Sequence, residues 1–159
     1  QITAWRTGRV KAVGSKTAPE LYAAHLSQRE AAQILSNFFY DVRLKSRIEL
    51  RAADSMPPRY IAAYAQLVKS VFGSPAALQN VLRHYAGITT LDITTAKLAV
   101  CKDGFNALAY GKPISSEMTW LLMQARSRTP SQEERALLDP FMALVMKRKT
   151  IRETENYNE

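Results

Sequence analysis

Between Asp41 and Arg51 the chain reads DVRLKSRIELR, and here the hydrophobic period drops to two. Val42, Leu44, Ile48 and Leu50 are apolar, while Arg43, Lys45, Arg47 and Arg51 carry positive charge. Such alternation describes a strand with one apolar and one basic face. The flanking segments repeat at helical period, so this strand constrains the fold more than any other stretch. Its backbone donors and acceptors need partners, and no other segment alternates convincingly. The simplest partner is the same strand of a second copy, which two-fold symmetry makes antiparallel. The expectation is a two-stranded ribbon shared by a homodimer, with Ile48 and Leu50 packed on helices and the basic face outward. The competing reading is an edge strand that uses Lys and Arg to discourage aggregation.

The rest of the pattern predicts helices. Pro19 suits a first helical turn ahead of Leu21, Tyr22 and Leu26. Ser27 and Glu30 have capping-box spacing, and Ala31, Ile34, Leu35, Phe38 and Phe39 follow at helical period. Pro57-Pro58 turns the chain into a helix with a buried stripe of Ile61, Tyr64, Ala65, Val68, Val71 and Phe72. Gly73 is expected to end it in the left-handed conformation. Ser74 then caps a helix with Pro75 at N1 and a stripe of Leu78, Val81, Leu82 and Tyr85, closed by Gly87. Thr94 or Asp92 caps the next, which carries Leu98, Cys101, Phe105 and Leu108 and stops at Gly111 and Pro113. Ser115 or Ser116 begins another, with Met118, Leu121, Leu122 and Ala125 on one face. Ser131 with Glu134 and Asp139-Pro140 mark the last starts, and the polar end, RETENYNE, is expected to be disordered.

Charge narrows the function. Lys plus Arg number 22 against 14 acids, a net +8, and the first sixteen residues hold Arg6, Arg9, Lys11 and Lys16 with no acid. A basic arm followed by a basic strand is the electrostatic footprint of a polyanion partner. Catalysis finds little support. His25 and His84 have no Cys, Ser or acid at catalytic spacing, Cys101 falls on an apolar stripe, and Glu133-Glu134 suit a first helical turn. Gly104 and Gly111 stand alone, so no phosphate-binding loop is present, and a single cysteine cannot build a disulfide or a multi-cysteine zinc site. The reading is therefore a non-enzyme without cofactor or metal. A reducing, cytoplasmic setting is expected, with no membrane span or signal peptide and, since the chain starts at Gln1, some of the natural N-terminus missing.

Residues 47–85, RIELRAADSMPPRYIAAYAQLVKSVFGSPAALQNVLRHY, resemble a ribbon-helix-helix domain of the Arc, MetJ and CopG type. The resemblance rests on a basic period-2 strand, an amphipathic helix, a glycine turn and a Ser-led second helix. It implies that three outward strand residues read bases in the major groove: Arg47, Glu49 and Arg51, or Arg43, Lys45 and Arg47 in the alternative register. It also implies a phosphate held at the start of the second helix by Ser74 and the amides of Ala76 and Ala77, as free helix N-terminal N–H groups allow. Arg suits guanine and Glu suits cytosine N4. Two departures stand out: the strand-to-helix connection is longer than usual in the family, and about forty residues precede the domain.

These expectations assemble into a mainly α protein with a ribbon-helix-helix core, N-terminal helices and a helical C-terminal extension. Its parts are a basic flexible arm (1–16), a helical N-terminal segment (17–41), the core (42–87), the extension (88–151) and a disordered tail (152–159). The implied activity is that of a dimeric, sequence-specific double-stranded-DNA-binding transcriptional activator or repressor. Such regulators are common on bacterial plasmids, and this one would bind an operator and, through the extension, join dimers along DNA or contact RNA polymerase. The alternative is an all-helical module whose basic face meets an acidic protein.

Overall fold

The protein is described from a computed structural model, which covers residues 3–155 apart from 7, 8, 13, 18, 19, 21–26, 37–40, 45 and 46. It is mainly helical, and the chain divides into two compact units, Gln1–Asp54 and Ser55–Glu159.

In the N-terminal unit, β1 (Thr3–Arg6) pairs antiparallel with β2 (Arg9–Ala12), with Thr3 opposite Ala12 and Arg6 opposite Arg9. The segment expected to be a flexible arm is thus a hairpin. Thr17 donates from its backbone N–H and its hydroxyl to Glu20 at 2.6 and 2.8 Å, which holds the Glu20 carboxyl below its usual range. Helix α1 (Gln28–Ser36) starts at the expected capping box: Ser27 N–H and Oγ–H donate to Glu30 at 3.0 and 2.7 Å, and Glu30 N–H returns a bond to Ser27 Oγ. Pro19, Leu21, Tyr22, Leu26, Phe38 and Phe39 lie outside the described residues.

The period-2 segment is not one strand. β3 (Val42–Leu44) folds back on β4 (Ile48–Leu50), with Val42 opposite Leu50, Arg43 opposite Glu49 and Leu44 opposite Ile48. Arg51 N–H donates to the Asp41 carbonyl at 2.7 Å and extends the ladder by one step. The strand therefore finds its partner within its own chain. The physical reason is proximity in sequence, since Leu44 and Ile48, which face each other, are only four positions apart. Closing a loop this short costs far less entropy than recruiting a second chain.

The C-terminal unit is helical. α2 (Pro58–Phe72) and α3 (Pro75–His84) are joined at Gly73, followed by α4 (Thr90–Asp103) and a single 3₁₀ turn over Gly104–Asn106. A small hairpin of β5 (Leu108–Ala109) and β6 (Lys112–Pro113) leads to α5 (Ile114–Ser127). α6 (Gln132–Ala136), α7 (Asp139–Lys147) and α8 (Ile151–Thr154) complete the unit. Its core is built on Val71, Leu122, Ala125, Leu138 and Val145, with Leu67, Val81, Phe105, Phe141 and Met142 packed around it. α3, α5 and α6 begin within a residue of the expected starts, and the Ser74 and Ser131 hydroxyls accept from Ala77 and Glu134 N–H.

Several local expectations are corrected. The buried face of α2 is Tyr60, Ala63, Gln66 and Val71, rotated by about one residue from the predicted stripe, so that Ile61 and Phe72 face outward. Gln66 is the reason, because it is buried with its amide donating to Thr129 and Ser70, each at 3.1 Å. Gly73 is right-handed, with φ −72°. α4 is capped by Thr89 in a box with Asp92 and ends at Gly104, not Gly111, and it leaves Leu98 and Cys101 exposed. The tail begins as a capped turn: Thr150 and Glu153 form a box, and Glu155 binds Arg59 and the Tyr60 hydroxyl. Among the described residues, no helix is long and apolar enough to cross a membrane.

Candidate nucleic-acid interface

Alternation places Arg43, Glu49 and Arg51 on one face of the β3–β4 hairpin. Opposite residues of an antiparallel pair are close enough for their side chains to interact, and the Arg43 guanidinium uses this. Its Nε and Nη2 donate to both Glu49 carboxylate oxygens at 2.8 to 3.0 Å. Arg51 approaches the same carboxylate from the neighbouring position on β4, Nε to Oε1 3.5 Å. One acid thus sits between two arginines. Such a pair on a partly exposed face contributes at most about 1 kcal/mol to stability, but it fixes the guanidinium planes. Arg47, at the head of β4, is exposed.

Of the candidate readers of the first register, Glu49 and Arg51 share this ribbon face with Arg43 of the second, while Arg47 lies just before β4. Lys45 lies outside the described residues. In the arm, the backbone of Arg6, Arg9 and Lys11 belongs to the β1–β2 hairpin, and Lys16 is an exposed residue after it. Residues 1–54 hold nine of the 22 cations and five of the 14 acids.

The proposed phosphate site behaves differently. Ser74 caps α3, with its Oγ accepting from Ala77 N–H at 3.2 Å, and Ala77 is 2% exposed. That amide is satisfied by the cap. Ser74, Ala76 and Ala77 belong to the second compact unit, whereas the hairpin belongs to the first.

Reasoning from local spacing missed a polar cluster in the helical unit. His84 was expected to have no acid near it, yet its Nε2 lies 2.9 Å from Glu117 Oε2 on α5. Lys112 Nζ is 3.3 Å from the other carboxylate oxygen. The His84 ring stacks on Trp120 with centroids 3.5 Å apart. Burial opposes the Glu117 charge, but the hydrogen bonds from His84 and Lys112 outweigh it and hold its pKa below the ordinary 4.5. Burial first, and then Glu117, push the Tyr85 hydroxyl pKa up. The partners lie 33 residues apart in sequence, so only a helical pattern with one acid on an otherwise apolar face hinted at them.

No protein-family model, no curated protein and no solved structure matches this chain.

Proposed function

We propose that this protein is a double-stranded-DNA-binding transcriptional regulator that presents the β3–β4 hairpin to the major groove. The observation that carries the reading is the hairpin face itself, where Arg43 and Arg51 flank a single acid on a two-stranded antiparallel ribbon, with Arg47 exposed just before β4. A ribbon of two strands has the width the major groove accepts, and alternate side chains on its outer face reach base edges. Arg47 is the primary reader. Arg43 and Arg51 are held ready by Glu49, which acts as their positioning residue and is itself able to accept from cytosine N4 on exchange of partners. The arm cations Arg6, Arg9, Lys11 and Lys16 add sequence-independent attraction to phosphates.

The ribbon-helix-helix architecture enters this reading in altered form. Each chain carries a complete ribbon, so a homodimer presents two, and its operator is a two-fold or directly repeated short site. The face opposite the arginines leaves Val42 and Ile48 53% and 68% exposed, and its burial between copies would favour association. The helical unit is then the part that joins dimers along DNA or meets RNA polymerase, for activation or repression.

Salt tests the reading. Fluorescence anisotropy with a mixed-sequence 30-base-pair duplex should show affinity falling by at least about a hundredfold from 50 to 200 mM salt, as release of several counterions requires. An affinity that does not change over that range, or no binding at 50 mM, overturns it.

A further inference from the structure

The helical unit holds a cavity of about 720 Å³ between α3, α4, the β5–β6 hairpin and α5. Val81, Ile93, Ala96, Val100 and Leu121 form apolar walls, and Glu117 is the one acid in the lining. It opens to the surface, and its size is in the range of small-molecule sites. A large apolar space also deprives its lining of dispersion contacts, which a ligand restores.

The polar end is built rather than incidental. Glu117 is 6% exposed, with Oε2 2.9 Å from His84 Nε2 and Oε1 3.3 Å from Lys112 Nζ, so two donors engage two oxygens that offer about four acceptor positions. The stack of His84 on Trp120 fixes the direction of the first of those donors. Acceptor positions of a buried carboxylate thus remain in the lining of an apolar chamber.

We infer that this cavity binds a small lipophilic molecule with a single hydrogen-bond donor, its apolar body against Val81, Val100 and Leu121 and its donor on Glu117. A donor on a buried carboxylate is a charge-assisted bond, so the site discriminates strongly against an isostere that lacks it. A second copy of the chain is the rival occupant, because Leu82, at the cavity, and Leu98, on α4, are 62% and 68% exposed. A volume in the small-molecule range and the single buried acid in the lining favour the small molecule. This inference concerns the helical unit alone and does not rest on the DNA-binding reading.

The test is fluorescence titration of the full chain with N-phenyl-1-naphthylamine, which carries one N–H donor, against competition by its oxygen isostere 1-phenoxynaphthalene, which carries none. The expected result is saturable binding of one amine per chain, about tenfold or more tighter than the ether. Ala96→Phe and Val100→Trp fill the cavity from different positions, and each folded variant should bind the amine at least about tenfold more weakly, in proportion to the space lost. Circular dichroism identifies the folded variants, and Val100, being only partly buried, is the more tolerant position. Absence of saturable amine binding by the wild-type chain, equal affinity for amine and ether, or wild-type affinity in a folded filled variant would each overturn the inference. So would sedimentation showing a dimer that the amine dissociates, which would make the second copy the occupant.

Discussion

Arg43 clasps both carboxylate oxygens of Glu49 across the β3–β4 hairpin, and Glu49 takes Arg51 at 3.5 Å as well. The relationship makes Glu49 the residue that decides whether two guanidiniums point together or apart. Replacing Glu49 with Ala should therefore loosen the arginines without unfolding the unit. The expected loss of stability is at most about 1 kcal/mol. Affinity for mixed-sequence duplex should rise, since one negative charge leaves the surface, while discrimination between sequences falls. Anisotropy titrations on selected and mixed duplexes measure both, and a fall in mixed-sequence affinity contradicts the assignment.

Arg47 carries a separate prediction because it is exposed just before β4. Arg47→Ala should lower affinity for the preferred site by about 1–3 kcal/mol and relax the base preference at one position. If it contacts phosphate alone, the loss is equal on all sequences and the salt slope falls by about one. Titration of a panel of single-base variants of the site separates the two.

Glu117 gives a pH signature. Its folded-state pKa lies below 4.5 because His84 and Lys112 donate to the carboxylate despite its burial. A depressed acid contributes stability that is complete above the unfolded value and lost as pH falls through the folded one. The stability difference between wild type and Glu117→Gln should be flat above about pH 5 and shrink on acidification below it. Urea unfolding followed by Trp120 fluorescence in a Trp5→Phe background measures it. A difference that widens in acid contradicts the account.

Gln66 is buried on α2 and its amide donates to Thr129 and Ser70. Gln66→Leu keeps the volume roughly constant but removes both bonds. Thr129 keeps its bond to the Ala125 carbonyl at 2.9 Å, so the expected cost is about 1–2 kcal/mol rather than the larger penalty of a stranded group. A stabilised variant would show that the polar triad is not satisfied.

Gly111 has φ +76° in the turn between β5 and β6, beside Tyr110 at φ +56°. Both central residues of such a turn need positive φ. A Cβ on Gly111 would meet nothing within 4 Å, so the cost of Gly111→Ala is conformational alone, about 1–2 kcal/mol. At Gly73 the balance is reversed: φ is ordinary, but a Cβ would run into the Lys69 carbonyl. Thermal unfolding of the two alanine variants compares them, and a Gly111→Ala variant as stable as wild type contradicts the first estimate.

Much of the helical unit was legible because its signals are local. Ser74-Pro75 and Ser131 announce helix starts through their own chemistry, and the period of Met118, Leu121, Leu122 and Ala125 follows from one helix face. What failed was long-range. Gln66 sits in the core because Thr129 arrives from a segment far along the chain, and no period rule accounts for a satisfied polar residue. Leu98 and Cys101 were assigned to a buried stripe that instead adjoins an open cavity. The hairpins failed for the opposite reason: their signals were local but overlooked. TAWR and RVKA are separated by two residues including Gly8, which is a hairpin spacing. Ser46 interrupts the alternation of 42–50 in its apolar phase. The cluster around Glu117 was hidden because its members come from three elements, α3, β6 and α5.

Genomic DNA selection tests the central claim most directly, with the intact chain beside Arg47→Ala/Glu49→Ala/Arg51→Ala, each checked for folding by circular dichroism. The account predicts a short motif enriched by the intact chain and lost from the folded triple variant. Enrichment of the same motif by both, or of none by the intact chain, would contradict it.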